Sequence, residues 1–186
     1  MTIAYVMGPS GAGKDTLLAL ARRALGGSTI LFAHRFITRG AAAGHENFIA
    51  LSDAEFALRD RLNLFALKWD AHGLRYGISR EIELWQVAGC TIVVSGSRAH
   101  FLETLTQRHD VTPILITAPP DMLAERLRRR GREDAAAMDE RLARARTFAI
   151  EHPRLVRIVN DTTPEAGATQ LVEALRATNA KRGGPG

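Results

Sequence analysis

The residues best suited to chemistry lie at the front of the chain. Gly8 and Gly13 are five positions apart with Lys14 directly after, which is the spacing of a phosphate-binding loop. In the run Gly8, Pro9, Ser10, Gly11, Ala12, Gly13 and Lys14, the glycines let the backbone turn tightly and aim its N–H groups inward. The positive end of a following helix adds to that field, and the combination wraps a polyphosphate. Lys14 then reaches the outer phosphates of a nucleoside triphosphate, and the Thr16 hydroxyl is placed to meet phosphate or Mg2+. Asp15 stands where Ser or Thr normally follows the lysine. It is therefore a candidate metal ligand with Thr16, direct or through water. The alternative is that it favours the first helical turn electrostatically.

Such a loop needs a strand before it and a helix after it. Thr2 to Met7 is a short apolar strand, and Leu17, Leu18, Ala21 and Leu25 form a helical stripe. Strand and helix then alternate, as in a parallel sheet covered on both faces. Strands are expected at Thr29–Ala33, Thr91–Ser95, Val111–Thr117 and Leu155–Val159. Helices are expected over Arg80–Ala88, closed by Gly89, and over Arg98–Gln107, Pro120–Arg129, Glu133–Phe148 and Pro164–Ala177. The stretch from His34 to Gly77 breaks this rhythm. It holds Thr38-Arg39, the segments Asn47–Leu51 and Asn63–Trp69, and a helix opening at Ser52, where Ser52 and Glu55 fit a capping box. It is expected to be an insertion that covers a ligand.

The bulk properties set the remaining bounds. The 186 residues fit one domain, expected over 1–179 with a flexible tail at 180–186. No apolar run approaches the ~20 residues of a membrane-spanning helix, and Met1–Met7 is too short for a signal peptide, so the cytoplasm is the expected compartment. The single cysteine, Cys90, has no intramolecular partner and reads as a reduced thiol. The net charge of +5 owes much to arginines between Arg126 and Arg146. A nucleic-acid surface or a site for several phosphates would each explain it. No aromatic-interleaved basic stripe is present, which argues against nucleic acid. The sequence leaves the oligomeric state open.

Several short motifs, taken in order, are similar to the guanylate kinase-like family of nucleoside monophosphate kinases. They are the glycine-lysine loop, Thr38-Arg39, Gly44 with Glu46, Ser52 with Glu55-Phe56, His72-Gly73 and Tyr76-Gly77. Arg126-Leu127, Arg130-Gly131, Arg141-Leu142 and Val159-Asn160-Asp161 follow. The resemblance implies an α/β P-loop NTPase fold of three layers with a central parallel sheet. It also implies an acceptor-binding insertion at about 34–77 and a lid at about 126–146. Three departures mark a distinct branch. Thr38-Arg39-Gly40-Ala41-Ala42 lacks the second arginine with which guanylate kinases grip the acceptor phosphate. Leu67 stands where they use a glutamate to read guanine. Ser95-Gly96-Ser97-Arg98 replaces an acidic element, as suits an extra phosphate. With Lys14-Asp15-Thr16, this pattern resembles the ribose 1,5-bisphosphate kinase branch, which uses ATP to make 5-phosphoribosyl 1-diphosphate in phosphonate degradation.

From that resemblance follow the expected roles. ATP and Mg2+ are the cofactors and a small phosphorylated sugar is the acceptor. Lys14, Arg126, Arg130 and Arg141 serve the transferring group, and Asn160 approaches adenine or shapes a turn. Arg39, Arg98, Ser95 and Ser97 hold the acceptor, with Tyr76 lining its pocket or packing in the core. An acceptor phosphate is already ionised near neutral pH, its second pKa being about 6, so no general base is required. His72 is expected to position or support rather than carry a proton. The remaining alternatives are a guanylate kinase with altered base recognition and a non-catalytic binding module of the same fold. Retention of Lys14 and the arginines disfavours the module.

Overall fold

A computed structural model describes residues 2–40, 47–130 and 150–180. The expected helix at Glu133–Phe148, the Gly44 and Glu46 motif, Arg141 and residues 181–186 lie outside the described residues.

Strand β1 (Thr2–Met7) feeds the glycine loop and helix α1 (Lys14–Ala24). It lies at the centre of a parallel sheet with β2 (Ile30–Phe32), β7 (Thr91–Ser95), β8 (Val111–Thr117) and β9 (Val156–Val159), in the order β2-β7-β1-β8-β9. The two-residue period of β1 divides the core. Ala4 and Val6 face a cluster completed by Leu17 and Ala21 of α1, Leu123 of α5 (Pro120–Arg130), and Leu171 and Leu175 of α6 (Pro164–Ala180). Ile3, Tyr5 and Met7 face the opposite side, where Ile82 of α3 (Glu81–Val87) and Phe101 pack. Ile92, Val93 and Val94 of β7 are all essentially inaccessible, as a strand covered on both faces requires.

The insertion folds as a second sheet, which the sequence reading did not resolve into strands. Its order is β4-β3-β6-β5, made from β3 (Arg35–Ile37), β4 (Phe48–Ala50), β5 (Phe65–Ala71) and β6 (Leu74–Ser79). β5 and β6 form a hairpin whose two turn residues, His72 (φ 53°) and Gly73 (φ 70°), both have positive φ. That is the handedness a two-residue hairpin turn requires, and it gives the His-Gly pair a structural task. Cross-strand pairing sets Arg35, Ile37, Tyr76 and Ile78 on one face, with Trp69 opposite Tyr76 and Leu67 opposite Ile78. Leu67 and Ile78 join the core beside Tyr5, whereas Phe36, Phe56 and Phe65 form a separate apolar cluster. Helix α2 (Asp53–Arg61) supplies Phe56, and its Ser52 cap accepts from the Glu55 N–H at 3.1 Å, as expected.

The helix expected over Arg98–Gln107 is instead one turn, α4 (Arg98–His100), widened into a π-helix at Phe101–Leu105. The Thr104 hydroxyl donates to the His100 carbonyl (2.6 Å), the acceptor an α-helix would give to the Thr104 N–H. Among the described residues no helix is long and apolar enough to cross a membrane.

Candidate active site

The loop between β1 and α1 is built as its glycines predict. Gly11 and Gly13 have φ of 85° and 83°, and a Cβ on Gly13 would come within 2.4 Å of Asn160 Nδ2. A Cβ on Gly8 would lie 2.3 Å from the Ile116 carbonyl, so the loop passes against β8 at backbone distance. Gly13 is also the N-cap of α1 and brings no side-chain cap, leaving the first N–H groups of α1 to an incoming anion.

Lys14 is held at the meeting point of two elements. Its Nζ donates to Ser95 Oγ at the end of β7 (2.8 Å) and to Asp15 Oδ1 (2.9 Å). The same Asp15 oxygen lies 3.6 Å from Nη2 of Arg35. Two cations with side chains only 12% exposed thus share one carboxylate, whose own side chain is 38% exposed.

On the far side of the loop, Asn160 is buried and its Nδ2 donates to the Ala12 carbonyl (2.9 Å), bracing the loop from beneath. Arg126 Nη2 donates to the Asn160 carbonyl (3.2 Å). Its Nη1 is buried with no hydrogen-bond partner among the described residues and would lie 3.9 Å from a Cβ on Gly13. A guanidinium nitrogen left in this way beside a phosphate loop fits a site for an anion.

A cleft of about 460 Å³ opens beside the loop. Gly8, Pro9, Ser10, Lys14 and Asp15 line one part of it. The second sheet contributes Arg35, Trp69, Asp70 and Tyr76, and the turn after β7 contributes Gly96, Ser97 and Arg98. Burial pushes the Arg98 pKa down, a sign that this guanidinium is drawn out of water.

The turn carrying Arg98 is fixed from the core. The Tyr5 hydroxyl accepts from the Ser97 N–H (3.0 Å) and lies within donating distance of the Ser97 carbonyl (3.2 Å) and of His100 Nδ1 (2.9 Å). Gly96 makes room for this ring, since a Cβ there would come within 2.0 Å of it. Burial raises the Tyr5 pKa, so the phenol stays protonated. Burial also lowers the His100 pKa to about 4, so the imidazole is neutral and free to accept at Nδ1. His100 stacks on Trp69 (5.0 Å between centroids), and Trp69 stacks on Tyr76 (5.4 Å, 4° between planes). An aromatic wall of the cleft therefore rests on Tyr5.

The residues read from sequence divide accordingly. The structure brings Gly8 to Lys14, Asp15, Ser97, Arg98 and Tyr76 to one cleft or its loop, with Ser95 behind Lys14 and Arg126 and Asn160 beside the loop. Thr16 is exposed on α1 outside the cleft lining. Arg39 is also outside it, with its guanidinium 4.3 Å above the Phe48 ring. The Arg130 side chain, like Arg141, is outside the described residues. Arg35, Trp69, Tyr5 and His100 were not singled out from sequence. The available signal was a lone arginine entering the apolar run Phe36-Ile37.

This fold and loop define a P-loop kinase. A family model described as an AAA domain matches residues 5–146. A guanylate kinase from Anaplasma phagocytophilum superposes with a TM-score of 0.65 at 19% identity, covering 96% of this chain and 86% of that one. A gluconokinase from Sinorhizobium meliloti gives 0.51 at 16% identity, covering 97% and 94%. Closer in sequence are curated proteins named ribose 1,5-bisphosphate phosphokinase PhnN. The one from Desulfomicrobium baculatum is 51% identical over 84% of each chain. Those from Thiobacillus denitrificans and Burkholderia pseudomallei are 45% and 47% identical, covering 96% and 93% of this chain and 94% of each relative. The chain belongs to this ribose 1,5-bisphosphate phosphokinase family.

Proposed function

We propose that this protein transfers a phosphoryl group from ATP to ribose 1,5-bisphosphate, giving 5-phosphoribosyl 1-diphosphate and ADP. The observation that carries the reading is that the phosphate loop and Lys14 line one cleft together with Arg98, Ser97 and Tyr76. ATP held with Mg2+ at the loop supplies the γ-phosphoryl group and a cation to spread its charge. The loop N–H groups and α1 bind its phosphates, and Lys14 neutralises charge on the outer ones.

Asp15 would offer Mg2+ a carboxylate oxygen, and the metal would supply positive charge against the phosphates there. Arg98 grips the acceptor so that an ionised oxygen of its 1-phosphate faces the γ-phosphorus. That oxygen forms the new P–O bond as the bond to the β-bridging oxygen breaks, and ADP leaves with the electron pair. No proton needs to move at the acceptor, in keeping with a neutral His100 turned toward Tyr5 rather than the cleft.

Leu67 supports a non-guanine acceptor, because it is buried among Ile78 and Ile82 and offers no group to read a base edge. We further propose that residues 1–179 work as one domain, with 34–77 holding the acceptor, and that the reaction is cytoplasmic. A coupled assay of ADP release with ribose 1,5-bisphosphate, GMP and AMP at equal concentration tests the reading. Turnover is expected with the sugar bisphosphate, and preference for either nucleotide would overturn it.

A further inference from the structure

Arg98 and Ser97 answer the phosphates of the acceptor, and neither is suited to the carbon ring between them. The second sheet supplies a surface of the right kind. Leu67 of β5 and Ile78 of β6 pair across the hairpin and are buried in the core. Trp69 and Tyr76, the next pair toward the turn on the same face, are only half-buried and line the cleft beside the phosphate loop. One apolar sheet face thus begins in the core at Leu67 and Ile78 and runs out into the cleft as aromatic surface.

That surface is held in place before any ligand arrives. The Trp69 and Tyr76 rings lie 5.4 Å apart between centroids and 4° from parallel. His100, itself buried, stacks on Trp69 at 5.0 Å, and its Nδ1 is 2.9 Å from the Tyr5 hydroxyl in the core. The indole is therefore packed between strand β6 and a group anchored on β1, and little further freedom is lost when a ligand meets it. An aromatic face carries partial negative charge and attracts C–H groups made electron-poor by neighbouring oxygens, as those of a sugar ring are. Covering the half-exposed rings adds the gain of removing apolar surface from water. We propose that Trp69, backed by Tyr76 and His100, is a specificity-determining residue that holds the sugar ring of the acceptor, so that the site selects a cyclic sugar bisphosphate over an open-chain bisphosphate. This rests on the acceptor reading above and adds to it a residue and a basis for selectivity.

The test is calorimetric titration of the full chain with ribose 1,5-bisphosphate and with pentane-1,5-diol bisphosphate, which has two phosphates and no ring. The wild type, Trp69→Leu and Trp69→Phe are compared. The wild type is expected to prefer the sugar, and that ratio of affinities to fall about fivefold or more in Trp69→Leu while Trp69→Phe keeps most of it. If Trp69 only packs the hairpin against His100, its loss displaces the Ser97-Arg98 turn and weakens both compounds alike, which leaves the ratio unchanged and overturns the proposal. A wild type with no preference for the ring overturns it as well. A second measurement keeps the native Trp69 and so does not depend on how the variants fold. The chain has two tryptophans, and the other, Trp85 of α3, packs beside the core outside the cleft lining. In Trp85→Phe, saturating ribose 1,5-bisphosphate should shield the Trp69 emission from acrylamide quenching. Quenching that stays the same although the sugar is bound would contradict the contact. A wild type that binds neither compound overturns the acceptor reading itself, an outcome distinct from all of these.

Discussion

Replacing Gly96 by alanine probes the link between the core and the acceptor turn. The added Cβ would sit 2.0 Å from both Cζ and the hydroxyl oxygen of Tyr5 and 2.5 Å from Cε2, so the ring must move. The ring has little room, being fully buried, flanked by Phe101 (6.0 Å) and His100 (5.9 Å), and tied by its hydroxyl to Ser97 and His100. Nor does the backbone yield easily, because the Gly96 N–H donates to the Val6 carbonyl at 2.9 Å. Overpacking of this kind costs about 1–3 kcal/mol, and a buried hydrogen bond broken on one side adds about 1–3 kcal/mol. A loss of roughly 2–4 kcal/mol in urea unfolding is expected, allowing for incomplete additivity. The acceptor Michaelis constant should rise with it, since Ser97 and Arg98 move with the ring. In a Tyr5→Leu background the clash disappears, and the cost of Gly96→Ala should shrink by about 1 kcal/mol or more. A cost within about 0.5 kcal/mol, typical of a surface change, or strict additivity of the two substitutions, would refute the packing argument.

Three further outcomes follow from the site. Lys14→Ala should lower turnover on the order of a hundredfold while leaving the melting temperature little changed, as measured by steady-state kinetics and calorimetry. Asp15→Asn should raise the Mg2+ concentration for half-maximal rate by roughly tenfold, and an unmoved Mg2+ titration would leave Asp15 a helix-start and ion-pair role only. His100 has a folded pKa of about 4, below its ordinary 6.5, so the unfolded chain binds the extra proton between these values. Its contribution is complete above pH 6.5 and is lost as pH falls toward 4. Stability should therefore drop by about 3 kcal/mol more across that window in the wild type than in His100→Gln, read by unfolding at each pH.

What the sequence made legible was local. The glycine spacing, the Ser52 cap, Pro120 and Pro164 at helix starts and the apolar runs of β7 and β8 are each written in neighbouring residues, and β7 and β8 fall on their expected bounds. The second sheet was not legible in the same way. β3 and β4 have three residues each and too little periodicity to read as strands, and the pairing of Arg35 with Ile78 is settled only by register across the insertion. Position in the site followed the same rule. Tyr5 reads as one more core residue of β1 until Gly96, far along the chain, opens a space for its ring and Ser97 meets its hydroxyl. Arg39 sits in a recognisable motif, yet the place of its guanidinium depends on Phe48, a contact no spacing rule contains.

The central claim is the identity of the acceptor and of the bond made to it, and phosphorus NMR of the product tests it most directly. With ATP, Mg2+ and ribose 1,5-bisphosphate, the expected spectrum gains the paired resonances of a diphosphate on the sugar C1 and of ADP, while the 5-phosphate resonance stays in place. Formation of ADP with no new sugar diphosphate, or of a nucleoside diphosphate when GMP is supplied in competition, would contradict it.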